Sequence, residues 1–315
     1  MKKLLIFIAA IALLGGAALW FVGKLGKENS DTMNSSTAII TLKVHTEDNP
    51  NMKPKVIMKK TTECLTRRLE RFIPGKFTIE TIGENKLKVT ISPTEHFNLD
   101  STFYCRISKP LSIADLQFRT TLPNYEVWNA ILEAEQKDTI NNASIASLLS
   151  EAYGGSACLG CAHHSDTAKI SQMFRNLEAQ NLLTGIKVKP MWSAKPTNGK
   201  HELVAIYYNG APELDGNAVS SARANIGQCG SAEVSLEMNR KGAKKWKDLT
   251  GSNVGKQIAI ILDGLVYSYP MVNQRIEAGM STISGNFTIE EAQDLANVLE
   301  CGKLPVRVSI LDITQ

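Results

Sequence analysis

Cys158, Cys161, His163 and His164 are the residues whose types and spacing most suggest chemistry, in the run CLGCAHH. A CxxC pair can be redox-active when its first thiol has a lowered pKa. It can also supply two ligands of a zinc site, with the histidines completing four. A redox pair should open a helix after a strand. Here the motif follows Gly-Gly-Ser in a stretch, 141–160, that reads as a loop with at most a short helix. A four-ligand site from one short loop would have to fold very tightly. The residues therefore read first as a local disulfide or plain loop thiols, with metal binding and redox catalysis as the alternatives. The other cysteines are Cys64, Cys105, Cys229 and Cys301. An even count permits full pairing without fixing connectivity.

Other candidates are weaker. GSNVGK (251–256) ends in Gly-Lys but lacks the full phosphate-loop pattern and its Ser/Thr, so nucleotide binding is rejected. Asp263-Gly264 suits a tight hairpin turn better than an acidic site. Ser220-Ser221 and the isolated histidines form no triad. No catalytic constellation stands out, so no enzyme activity and no cofactor are expected. A formal net charge of +4 over 315 residues is too small to argue for nucleic acid. The basic run 240–247 reads as a solvated helix face, with an anionic lipid or acidic partner as the sharper alternative.

The elements that must position these residues follow from periodicity. Residues 40–44 alternate as a strand. A helix over 53–72 has Pro54 in its first turn. Ile57, Cys64, Leu65, Leu69 and Phe72 form its apolar face, and Arg67, Arg68 and Arg71 lie largely off it. Residues 77–82 and 87–91 flank the hairpin signal Gly83-Glu84-Asn85. Later, 127–136 and 169–178 have helical character, and 234–238 alternate as a strand. A basic helix over 240–249 precedes a buried strand, 257–262. Thr288 and Glu291 have capping-box spacing. Ile289, Ala292, Leu295, Ala296 and Leu299 then mark one helix face, and Gly302 stops the helix. Val306, Val308 and Ile310 belong to a final strand.

These signals predict an α+β chain. A ferredoxin-like, split β-α-β-β-α-β base is expected from 37–110 plus 288–315, carrying an inserted α/β head over 111–287. At the N-terminus, residues 4–22 are uncharged. About nineteen residues at ~1.5 Å each nearly span a hydrocarbon core of ~30 Å. The run is long for a cleaved signal peptide, so it reads as an uncleaved transmembrane helix within 1–25, followed by a polar linker, 26–36. Lys2 and Lys3 would stay cytoplasmic, leaving a single-pass inner-membrane protein with its C-terminal domain in the periplasm.

The long stretch 234–304 names a family. GAKKWKDLTGSNVGKQIAIILDGLVYSYP, then ISGNFTIEEAQDLANVLECGKLP, resembles the first periplasmic domain of SecD, or of fused SecDF, a subunit of the bacterial Sec protein translocase. Val56 to Ile91, Asp166-Thr167 and MWSAKP (191–196) extend the resemblance more weakly. It implies a base with an inserted head, and a role in Sec-dependent export beside SecDF or other Sec translocon subunits, in contact with an unfolded secretory polypeptide. Contact is expected at Asp263, Gly264, Tyr267, Tyr269, Pro270, Met271 and Ile276. The chain departs from the family in lacking an LDL.GG-type motif and the later transmembrane helices. That departure predicts an accessory or paralogous protein without its own proton-conducting part. The rivals are a periplasmic thiol or metal protein using the CLGC-HH cluster, and a membrane-tethered scaffold.

Overall fold

The computed structural model describes residues 37–314 apart from 93, 95–98, 100, 141–143, 151–154, 184 and 228–229. The expected membrane anchor, 4–22, and the linker lie outside the described residues. Among the described residues no helix is long and apolar enough to cross a membrane. The chain divides into two compact units. One takes the chain up to Ala114 and again from Asn297; the other is Asp115–Ala296.

The first unit opens with β1 (Ala38–Val44), α1 (Pro54–Phe72), β2 (Lys76–Ile82), β3 (Lys86–Ser92) and the short α2 (Ser101–Arg106). The second holds β4 (Leu116–Thr120), α3 (Asn124–Glu135), β5 (Cys158–His163), α4 (His164–Ala179), β6 (Val188–Trp192), β7 (Lys200–Tyr207), β8 (Leu214–Asp215), β9 (Val219–Ile226), β10 (Ala232–Met238), α5 (Arg240–Ser252), β11 (Ile258–Leu262), β12 (Leu265–Ser268) and β13 (Met280–Phe287). Then come α6 (Ile289–Cys301) and β14 (Val308–Thr314).

In the first unit the sheet order is β14-β1-β3-β2, with every neighbour antiparallel. Strict alternation puts Ala38, Ile40, Leu42 and Val44 of β1 into the core with Leu87, Val89 and Ile91 of β3. Ile57, Cys64, Leu65 and Leu69 of α1 cover that face. One charge on this helix departs from expectation. Arg68 is only 1% exposed, because its guanidinium reaches backbone carbonyls at Pro110, Ser112, Ile113 and Gly302. A buried cation is tolerated when, as here, both terminal nitrogens donate to carbonyls.

The second unit stacks three small sheets, ordered β13-β10-β9, β12-β11-β4-β8 and β5-β7-β6. β7 is apolar on both faces. Leu203 and Ala205 pack under α3 and α4 with Val127, Ile131, Ile170 and Leu177. Val204 and Ile206 pack against Ala259, Ile261 and Val266 of the neighbouring sheet.

At α6 the capping box forms in both directions. Thr288 N donates to Glu291 Oε2 at 2.9 Å, and Glu291 N donates to Thr288 Oγ1 at 3.2 Å. The expected single apolar face needs correction. Ile289 is 41% exposed and Leu295 is half-buried, while Asp294 and Val298 are buried along with Ala292, Ala296 and Leu299. Burial runs round the helix rather than along one stripe, so a stripe read from spacing misplaces its edges.

Candidate functional site

A cleft of about 140 Å³ opens in the second unit. One wall is the MWSAKP segment. Ser193 N donates to Glu202 O, and Ala194 N to Val266 O, both at 2.8 Å. The segment thereby ties β7 to the edge of β12. Ser193 Oγ also accepts from Glu202 N at 3.0 Å. Facing it are Tyr267 and Phe287, nearly parallel rings 5.9 Å apart at 21°. Lys195 closes one end. Its ammonium lies 5.1 Å from the Phe287 ring centroid and donates to Asn286 O and Glu291 Oε2, each at 2.5 Å. The helix-capping carboxylate of Glu291 thus also anchors the cleft lysine.

The floor is polar. Tyr269 OH donates to Glu202 Oε2 at 2.6 Å. Burial, then the hydrogen bond to Glu202, holds the Tyr269 hydroxyl well above its ordinary pKa. Burial pushes Tyr267 up to about 12, with Asp263 and Glu291 adding to it. Both phenols keep their protons at neutral pH. The site therefore offers aromatic walls and fixed hydrogen-bonding groups, which suit binding.

The seven expected contact residues scatter. Tyr267 and Tyr269 line the cleft. Asp263 and Gly264, at φ +50° and +82°, form the tight turn between β11 and β12. The Asp263 carboxylate accepts from Asp115 N at 2.8 Å, which fixes the start of β4. Pro270 O accepts from Ile258 N at 3.2 Å, and the Met271 side chain is 47% exposed beyond it. Ile276 stands apart, its N donating to Thr250 Oγ1 at the end of α5. Sequence reasoning did not single out Lys195, Glu202, Asn286 and Phe287 as site residues. MWSAKP and ISGNFT were visible as motifs, but nothing in their spacing showed that they meet.

The CLGC stretch is not a loop. Cys158 and Cys161 belong to β5 and are buried, with no disulfide between them. Gly160, at φ +149°, sits in a bulge, so Cys158 pairs with Val204 and Cys161 with Glu202. The bulge turns both thiols to one face, where alternation would have separated them. Burial pushes the Cys158 thiol up to about 12, with Cys161 next in effect. That is the reverse of what a redox nucleophile needs. His163 and His164 are exposed, and the His164 ring lies 5.5 Å from that of His201. Among the described residues no three His, Cys, Asp or Glu side chains are grouped to hold a metal ion. We expect Cys158 in the native protein to resist iodoacetamide at pH about 8 and to react after unfolding. Peptide mass spectrometry checks this, and rapid native alkylation of Cys158 would contradict the buried placement.

Residues 193–306 match the family model described as SecDF, P1 head subdomain. The protein translocase subunit SecD of Rhodothermus marinus is 40% identical over 164 residues, which are 50% of this chain and 26% of that protein. The chain spans about a quarter of the length of the curated SecD relatives it matches. Among solved structures, SecDF in its Super-membrane-facing form matches 94% of this chain and 33% of that chain, with a TM-score of 0.56 at 22% identity. A structure of SecDF, described as a membrane component that enhances protein export, matches 88% of this chain and 99% of that one. Its TM-score is 0.51 at 24% identity. At these identities the structures establish a shared fold. The chain is thus similar to SecD over part of its length, and residues 193–306 match the SecDF P1 head subdomain.

Proposed function

We propose that this chain serves Sec-dependent protein export from the periplasmic side of the inner membrane, with the unit Asp115–Ala296 as a SecD-like head on a ferredoxin-like base. In this reading the head holds an extended secretory polypeptide beside SecDF or the Sec channel, without catalysis. The observation that carries the reading is the cleft between SAKP (193–196) and ISGNF (283–287), both inside the stretch matched by the P1 head family. Its volume of about 140 Å³ suits one large side chain at a time. Its aromatic walls bind apolar groups without selecting a sequence, as a carrier of many different chains requires.

The test places photo-crosslinking residues at Asn286, on the cleft, at exposed Met271, and at exposed Lys59 of the base. Cells are then loaded with a stalled secretory chain. Adducts to that chain should form at Asn286 well above the level at Lys59, with Met271 between them. Equal yields at Asn286 and Lys59, or adducts only to Sec subunits, would remove the cleft from polypeptide binding and favour a docking role.

A further inference from the structure

We propose that the outer face of α5 is a docking surface for an anionic phospholipid bilayer. Arg240, Lys241, Lys244 and Lys245 are all exposed. At 100° per residue they span an arc of roughly 140°. None of the four has an ion pair among the described residues; Lys247, about 20° beyond Arg240 at the edge of this face, pairs with Glu277 at 2.5 Å, and exposed Asp248 is the one acidic residue of the helix within the arc. Arg275 also reaches Glu277, at 3.3 Å, and lies 4.0 Å from Asp248.

The arrangement works against the helix. Arg240 and Lys244, and Lys241 and Lys245, are like charges four residues apart, a destabilising spacing. The first turn holds two cations and no acidic residue, at the end where the helix dipole favours anions. The remainder of the helix is built for stability. Asn239 caps it by accepting from Gly242 N at 3.0 Å. Gly242 packs so closely that an added Cβ would lie 2.8 Å from Ala218 O, which fixes the rotation of the helix and points the basic row outward. A local rule broken on one face of an otherwise well-made element marks a face used for something else.

The row lies on the exposed side of a helix, a surface that by its shape does not enclose a particular acidic side chain. A plane of lipid phosphates requires only a matching density of positive charge, and each basic residue near such a surface adds to the attraction.

The experiment reads the lysines themselves. The full chain is mixed with vesicles of phosphatidylglycerol in phosphatidylcholine, or of phosphatidylcholine alone. Exposed amines are then acetylated and quantified by mass spectrometry. Insertion of any apolar N-terminal run occurs with both vesicles, so the difference between them reports on α5. Labelling of Lys241, Lys244 and Lys245 should fall about threefold or more on the anionic vesicles and recover in high salt. Lys59 serves as the internal reference. In the Lys241→Glu/Lys245→Glu variant, protection of Lys244 should be lost. Equal labelling on the two vesicles, or unchanged protection in that variant, overturns the proposal. Protection by polyglutamate but not by phosphatidylglycerol vesicles also overturns it, and assigns the face to an acidic protein.

Discussion

Replacing Arg68 by methionine will lower the stability of the first unit by about 3–5 kcal/mol. The methionine fills similar space but donates nothing. Four carbonyls lose a charged donor: Pro110 at 2.9 Å, Ser112 and Gly302 at 2.5 Å, and Ile113 at 3.4 Å. Gly302 follows the last residue of α6, so the same change releases the end of that helix. Lysine should rescue little, because a point charge cannot reach carbonyls on both sides. Intrinsic fluorescence would miss the effect. The described tryptophans, Trp128, Trp192 and Trp246, all lie in the second unit. Hydrogen exchange of β1 and β3 is the direct measurement, with loss of protection expected there first. Unchanged exchange and a melting point within about 2 °C of the parent would show that the guanidinium network contributes little.

The second large effect is expected at Gly279. Its φ is +65°, and an added Cβ would fall 2.5 Å from Ala243 Cβ and 2.9 Å from Ala243 Cα. Gly279→Ala should therefore cost about 2–4 kcal/mol, from left-handed backbone strain plus displacement of α5. The neighbouring Met280 O accepts from Trp246 Nε1 at 3.1 Å. Trp246 is buried against Phe118, so its emission should shift to the red in the variant. Gly264→Ala is the control. Its φ is +82°, but nothing lies within 4 Å of the new Cβ. Only the backbone strain, about 1–2 kcal/mol, should appear. Equal losses in the two variants would mean that the contact with Ala243 relaxes at no cost.

Where the local rule and the tertiary outcome coincide, the sequence was readable. β1 alternates because one of its faces meets α1. Thr288 and Glu291 cap a helix because both partners lie within one turn. Asp263-Gly264 turns because both positions need positive φ. The failures come from longer range. Arg68 looks like a surface charge on a helix wheel, and its carbonyl partners lie about forty residues or more away in sequence. The CLGC strand was hidden because the bulge at Gly160 breaks the alternation that announces a strand. Tyr267 and Tyr269 were found from the family motif. Lys195 and Glu202 were not, because the cleft brings together segments whose proximity depends on how three sheets stack.

The pairing of β1 with β14 bears on the order in which the chain can fold. Ile40 sits opposite Ile313, so β1 has only β3 beside it until the last strand has been synthesised. Until then one edge of β1 exposes unpaired amides and carbonyls next to a fully apolar face, the condition that invites mispairing with other chains. The second unit is contiguous from Asp115 to Ala296 and has all of its partners earlier. An emerging chain should therefore complete the inserted unit first and close the sheet of the first unit last. Contacts of such long sequence separation form slowly, which makes this sheet the step most exposed to aggregation and the one where a chaperone would act.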